Sequence, residues 1–253
     1  MITGIVPPPH DGNDHSAWPG DGNVVATQAL HLTYATLKAA LEERAMTCIY
    51  GDSGLGKTAM VNAALRRLAP EETVHISFCS PRRMRDGLFD ALGLQRPRSR
   101  SPGGCDNLLK TTLTEKFRVL VCDNADWLLF DCVEWWCHLW DDGRTDTAIV
   151  FVGGKDCREA LRREPVRRLL WQEFTRMTMA EVLDVIPAYH PIWANADAKV
   201  IKLADRHVAH GNWRVWAHLT AQAARALEHL QRPAVDEDVL RWVLDRLCPR
   251  WPL

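Results

Sequence analysis

MTCIYGDSGLGKT occupies residues 46–58, and the way its two halves meet decides the fold. MTCIY (46–50) is a short apolar run of strand type, GDSGLGKT (51–58) meets every fixed position of G-x-x-x-x-G-K-[ST], and TAMVNAALRRL (58–68) continues with a helical period. Strand, glycine-rich turn and helix in that order make a phosphate cradle. Gly51, Gly54 and Gly56, with Asp52, Ser53 and Leu55 between them, let backbone N–H groups converge on phosphate oxygens at a helix N-terminus. Lys57 supplies a point charge for the β and γ phosphates, and the Thr58 hydroxyl is a ligand for Mg2+. ATP and Mg2+ are therefore the expected ligands.

Outward from this stretch the alternation repeats. TVHISFC (73–79) precedes RMRDGLFDALGL (83–94), and DNLLKTTLTEKF (106–117) leads into RVLVC (118–122). VEWWCHLW (133–140) precedes TAIVFV (147–152), and a basic helical stretch over 156–170 precedes EFTRM (173–177). Upstream, a helix capped by Thr27 spaces Leu30, Tyr34, Leu37 and Leu41 three or four apart, an amphipathic face. Strands alternating with helices predict an α/β fold, a P-loop NTPase parallel sheet sandwiched by helices. From residue 178 the patterns are helical throughout, which predicts a small all-helical lid domain. The expected layout is a disordered arm over 1–23, a nucleotide-binding α/β domain over 24–177 and the lid over 178–253. QRPRSRSPGG (95–104) reads as a surface loop.

Composition bounds the rest. A chain of 253 residues with 47% hydrophobic and 25% charged residues can bury a full core without disulfides. A net charge of −1, from 31 basic and 32 acidic residues, excludes a strongly basic whole-protein field and leaves local patches for any nucleic acid. Of those basic residues 24 are Arg, the cation suited to phosphate chemistry and subunit boundaries. The eight Cys include no C-x-x-C pair and several lie in apolar runs, which points to buried thiols in a reducing compartment. Cys132, Cys137 and His138 match no common zinc spacing. With no signal-peptide pattern and no apolar stretch of roughly 18–20 residues, a cytoplasmic location is expected. Trp135, Trp136, Trp140, Trp213, Trp216 and Trp242 read as helix packing.

A phosphate cradle of this kind needs a carboxylate at the end of a neighbouring buried strand to hold the Mg2+ shell. VLVCD (119–123) ends in Asp123, the second expected metal residue. In the large NTPase division that inserts a strand between the two motifs, the next residue is usually a Glu that polarises the attacking water. Here it is Asn124, which cannot accept a proton as a carboxylate does, so tight ATP binding with slow hydrolysis is expected. Asp126 is a poorly placed substitute base.

The order of these motifs resembles the AAA+ ATPases, in particular the ATP-binding transposition regulators of the phage Mu B, TnsC, TniB and IstB type. The resemblance spans about residues 24–248; GDSGLGKT and VLVCDNADWL carry most of it, with the family's D-E-A-[DHQ] present as Asp123-Asn124-Ala125-Asp126. REPVRRLLWQEFTRMTMAEV is similar to the stretch from the arginine finger to the start of the lid, which makes Arg168 the finger and Arg167 the next choice. HGNWR (210–214) looks like the lid motif G-[ND]-x-R, in which Arg214 would sense the γ phosphate. The first sensor would fall in GGKD (153–156), which has no Asn or Thr; Lys155 and Asp156 are the substitutes.

The resemblance implies an ATP-dependent homo-oligomer, a ring or helical filament, with ATP between protomers and the finger reaching across. It further implies binding of double-stranded DNA, recruitment of a DDE transposase and selection of the target. DNA contacts would come from small patches that repeat along the assembly, with Arg82, Arg83, Arg85, Arg96, Arg98 and Arg100 as candidates. The competing expectation is a nucleotide-switched signalling or defence ATPase that binds protein and not DNA. A clamp-loader or initiator-like ATPase is the third, and would typically carry an additional C-terminal domain.

Overall fold

A computed structural model of the chain describes residues 25–77, 84–95, 102–127, 130–141, 143, 145–162 and 169–247. Two compact units emerge. The sheet unit comprises Leu32–Ser53 and Met60–Phe174, and the helical unit comprises Gly54–Ala59, the described residues up to His31 and those from Thr175 on. The crossing points fall inside the phosphate loop, between Ser53 and Gly54, and inside the helix that follows it.

In the sheet unit five parallel strands take the order β2-β3-β4-β1-β5. They are β1 (Met46–Gly51), β2 (Thr73–Ser77), β3 (Arg118–Asp123), β4 (Thr147–Gly153) and β5 (Leu169–Phe174). Every residue of β1 and β4 is buried, as strands covered on both faces require, which is why they read as unbroken apolar runs. β4 pairs with both β1 and β3, so one strand separates the phosphate-loop strand from the strand that ends in Asp123. The connecting helices are α1 (Gln28–Glu42), α2 (Lys57–Leu68), α3 (Met84–Ala91), α4 (Pro102–Glu115), α5 (Phe130–Trp140) and α6 (Lys155–Arg162). One core gathers Trp136, Phe151, Leu88, Phe89, Leu109, Leu120 and Ile149 between sheet and helices.

Several elements differ from their sequence expectation, each for a physical reason. β5 runs over Leu169–Phe174 and not over 173–177, so residues 169 and 170, expected in the helical stretch, are strand, and the described helix is Lys155–Arg162. The strand hides because Gln172, a polar residue, takes one of its two buried positions beside Phe174, its side-chain amide donating to Thr33 Oγ1 at 2.9 Å. The same bond turns α1: its buried face is Thr33, Leu37, Ala40 and Leu41, and Tyr34 is exposed. Thr27 acts as expected, its hydroxyl accepting the Leu30 N–H at 3.1 Å. α4 begins at Pro102, inside the stretch read as a loop. Proline at a first helical position costs nothing, since its missing N–H would have no partner there.

The helical unit contains α7 (Met179–Tyr189), α8 (Ala198–Ala204), a π turn (Asp205–Ala209), α9 (Trp213–Leu230) and α10 (Glu237–Leu247). Thr178 starts α7 with a capping box, its hydroxyl taking the Glu181 N–H while the Glu181 side chain takes the Thr178 N–H. The core of this unit includes Val182, Ile186, Val200, Leu219, Val239 and Val243 around Trp193 and Trp216, whose rings meet edge to face at 5.3 Å. Of the tryptophans expected in packing, Trp136 and Trp216 are fully buried. Trp135, Trp140 and Trp242 are half-buried, the Trp140 indole N–H donating to the Arg44 carbonyl at 2.8 Å. No helix among the described residues is long and apolar enough to cross a membrane.

Candidate functional site

In the sheet unit the candidate residues sit at the C-terminal ends of the strands. β1 closes on Gly51 at φ +150°, where an added Cβ would lie 2.4 Å from the Phe174 carbonyl oxygen, so glycine is required for the backbones to approach. β3 delivers Asp123, and the chain then turns through Asn124 at φ +54°, whose N–H donates to Asp123 Oδ1 at 2.8 Å. Asparagine tolerates this left-handed conformation better than glutamate. Asp126 follows in a short 3-10 turn, and its Oδ1 accepts the N–H of Gly154 just ahead of α6. That oxygen lies 2.8 Å from where a Gly154 Cβ would be, so the carboxylate ties two turns together. Lys155 pairs with Asp52 of the phosphate loop, Nζ to Oδ1 at 3.4 Å, and Asp156 lies exposed in the first turn of α6.

Below this rim lie thiols. Cys48 and Cys157 face each other with sulfurs 3.7 Å apart, both fully buried. The hydrogen bond with Cys48 and burial hold the Cys157 thiol far above its ordinary pKa, and burial together with the Asp123 charge raises Cys122 as well. Protonated and enclosed, Cys157 and Cys122 are core thiols held back from nucleophilic chemistry.

In the helical unit Gly54 and Gly56 meet the segment Asn212–Arg214. Gly54 and Gly56 have φ of +81° and +85°, and Lys57, largely buried, opens α2 with Thr58 next. The Arg214 N–H donates to the Gly54 carbonyl at 2.9 Å. A Cβ on Gly54 would stand 2.6 Å from Asn212 Oδ1 and 2.9 Å from Arg214 Cβ, and one on Gly56 would stand 3.3 Å from the Trp213 indole. Trp213 is braced in turn by Tyr189, ring centroids 5.5 Å apart and edge to face. Two motifs more than 150 residues apart in the numbering, Gly54–Thr58 and Gly211–Arg214, thus form one surface. Sequence reasoning named Arg214 but took Trp213 for lid packing, and nothing in the spacing links it to Gly56.

Arg85, a candidate for DNA, is committed elsewhere. Its Nε and Nη2 donate to the Asp106 carboxylate at 2.7 and 3.2 Å, and its guanidinium lies 5.2 Å above the Trp135 ring. Arg82, Arg83, Arg96, Arg98, Arg100, Arg167 and Arg168 lie outside the described residues.

With this geometry in place, residues 40–161 match the AAA domain family. The match covers a little under half of the chain. Its structure is similar to a chain of Drosophila ORC bound to DNA, with a TM-score of 0.68 and 19% identity over 86% of this chain and 60% of that one. It is also similar to Aeropyrum pernix ORC1 in complex with DNA, with a TM-score of 0.62 and 19% identity over 87% and 64% of the two chains. Aeropyrum pernix ORC2, in its ADPNP–ADP complexes, gives a TM-score of 0.64 and 11% identity over 90% and 70%. At these identities the likeness carries the fold, and the chain spans less than two thirds of the length of the first two. No curated protein sequence matches it. The parallel sheet flanked by helices and the helical region that follows match the P-loop AAA+ fold.

Proposed function

We propose that this protein binds ATP with Mg2+, assembles on duplex DNA in its ATP state and regulates DNA transposition by recruiting a DDE transposase. The observation that supports the ATP reading is the packing of Gly54 and Gly56 on Asn212–Arg214, the segment read here as a γ-phosphate sensor. In this reading Gly51–Thr58 cradle the phosphates, Thr58 and Asp123 hold Mg2+ largely through water, and Arg214 contacts the γ phosphate. Arg168 acts as the finger from a neighbouring protomer. The bound metal supplies charge neutralisation of the phosphates, and the chain's residues supply position. The DNA held in two of the similar structures supports the DNA part. The motif order GDSGLGKT, VLVCDNAD and HGNWR supports the transposition part.

Hydrolysis is slow in this reading because Asn124 stands where a water-polarising carboxylate is needed, and its left-handed backbone suits asparagine. Asn124→Glu is expected to raise turnover at least about tenfold; unchanged turnover sinks the missing-base account. The decisive experiment is duplex-DNA binding at low salt with ADP, with a non-hydrolysable ATP analogue and without nucleotide, followed by capture of a purified DDE transposase. Binding only with the analogue, and capture by that complex, are expected. Absence of nucleotide-stimulated DNA binding removes the proposal and favours a signalling ATPase that binds protein. The likeness to ORC favours one other reading, an initiator-like ATPase, which binds DNA in the same assay and captures no transposase.

A further inference from the structure

The corner that carries Asn212–Arg214 is fastened with unusual care, and the fastening centres on a buried charge. Asp205 is 5% exposed. Its Oδ1 accepts two hydrogen bonds, from the Gly211 N–H at 2.8 Å and from the Trp216 indole N–H at 3.0 Å. A buried carboxylate costs several kcal/mol unless such donors compensate it, so it persists where its bonds hold something in place. What it holds is a strained backbone. Asp205 opens a π turn, a geometry common at functional sites, and two successive left-handed residues follow, His210 at φ +47° and Gly211 at φ +70°. The other side of Gly211 is fastened too, since its carbonyl accepts the Met177 N–H at 3.0 Å and a Cβ there would lie 2.2 Å from the Met177 carbonyl oxygen.

Everything downstream inherits its place from this corner. Asn212 caps α9, its Oδ1 taking the Val215 N–H at 3.3 Å. One residue further, Trp213 covers Gly56, and the Arg214 N–H reaches the Gly54 carbonyl. A shift of the Gly211 peptide therefore moves the Arg214 backbone directly, along three residues of chain with no flexible segment between.

We propose that Asp205 is a positioning residue of the phosphate site: its carboxylate holds the Gly211–Arg214 corner so that Arg214 is aimed at the terminal phosphate of a bound nucleoside triphosphate. The inference rests on the ATP reading above and adds to it the group that lets the lid discriminate triphosphate from diphosphate. A purely architectural Asp205 would affect both nucleotides alike. A positioning Asp205 affects their ratio.

The test is a set of equilibrium affinities, with Mg2+, for a non-hydrolysable ATP analogue and for ADP. The proteins are the full chain and its Lys57→Ala, Arg214→Ala, Asp205→Ala, Asp205→Asn and Asp205→Ala/Arg214→Ala variants. Arg214→Ala is expected to reduce the preference for the triphosphate roughly tenfold, the worth of a charge-assisted hydrogen bond. Asp205→Ala should reduce it by a similar factor, and the double variant by no more than either alone. Asp205→Asn should keep the preference, because the amide oxygen accepts the same two N–H groups. A wild-type preference in Asp205→Ala, or additive losses in the double variant, overturns the inference while leaving the ATP reading intact. Where Asp205→Ala does not fold, Trp216→Phe decides: removing one donor should lower the preference two- to threefold, and an unchanged preference overturns the inference. A chain that binds neither nucleotide, or a Lys57→Ala variant that binds as the wild type does, overturns the ATP reading and this inference with it.

Discussion

The turn that joins Asp126 to Gly154 in the sheet unit and the corner that joins Asp205 to Gly211 in the helical unit use the same device at different depths. In each an aspartate oxygen accepts the N–H of a glycine at which a side chain would collide, with Asp126 itself in the first case and with Met177 in the second. The Asp126 bond is exposed to water and the Asp205 bond is buried. A lost bond in water is replaced by water; a lost bond in the interior leaves an unmet donor that costs about 1–3 kcal/mol. Equal hydrogen bonds therefore weigh unequally, and the buried one can transmit a state where the exposed one only shapes a loop.

Several substitutions sharpen or break that contrast. The largest expected effect belongs to neither aspartate: Lys57→Ala should weaken nucleotide binding on the order of 100-fold or more, measured calorimetrically, because it removes the point charge set on the β and γ phosphates. Gly211→Ala comes next, with a stability loss of about 2–4 kcal/mol by denaturant unfolding, since the new Cβ has backbone against it and φ is left-handed. Asp126→Ala should cost about 1 kcal/mol in the same assay; a loss equal to that of Gly211→Ala would contradict the weight given to burial. Asn124→Gly, which keeps the left-handed turn, should stay within about 0.5 kcal/mol of the parent. Last, brief alkylation of the native protein should spare the buried Cys48, Cys122 and Cys157 and, among the described cysteines, label the half-buried Cys105 and Cys137 first.

Much of the sheet unit is legible from residues alone because its signals are local. A parallel strand covered on both faces must be apolar throughout, so β1, β3 and β4 announce themselves, and the phosphate loop needs its glycines and Lys57 at set intervals whatever surrounds them. β5 escapes that reading because an edge strand alternates, and its buried Gln172 looks like a solvent residue until Thr33 is brought to it from α1. Asn124 stands out in the string as a departure from its motif, yet the left-handed turn that accommodates it is a property of the folded backbone.

The sequence by itself determined the phosphate loop, the strand acid Asp123, the alternation that builds the sheet and the change to helices from residue 178. Those depend on period, on glycine and on side-chain chemistry, which each segment carries with it. Tertiary structure alone decided that Gly54 receives the Arg214 N–H, that Trp213 lies against Gly56 and that a buried Asp205 holds the corner between them. Such contacts join residues far apart along the chain, and their worth lies in burial and hydrogen-bond direction, which have no value until the chain has closed around them.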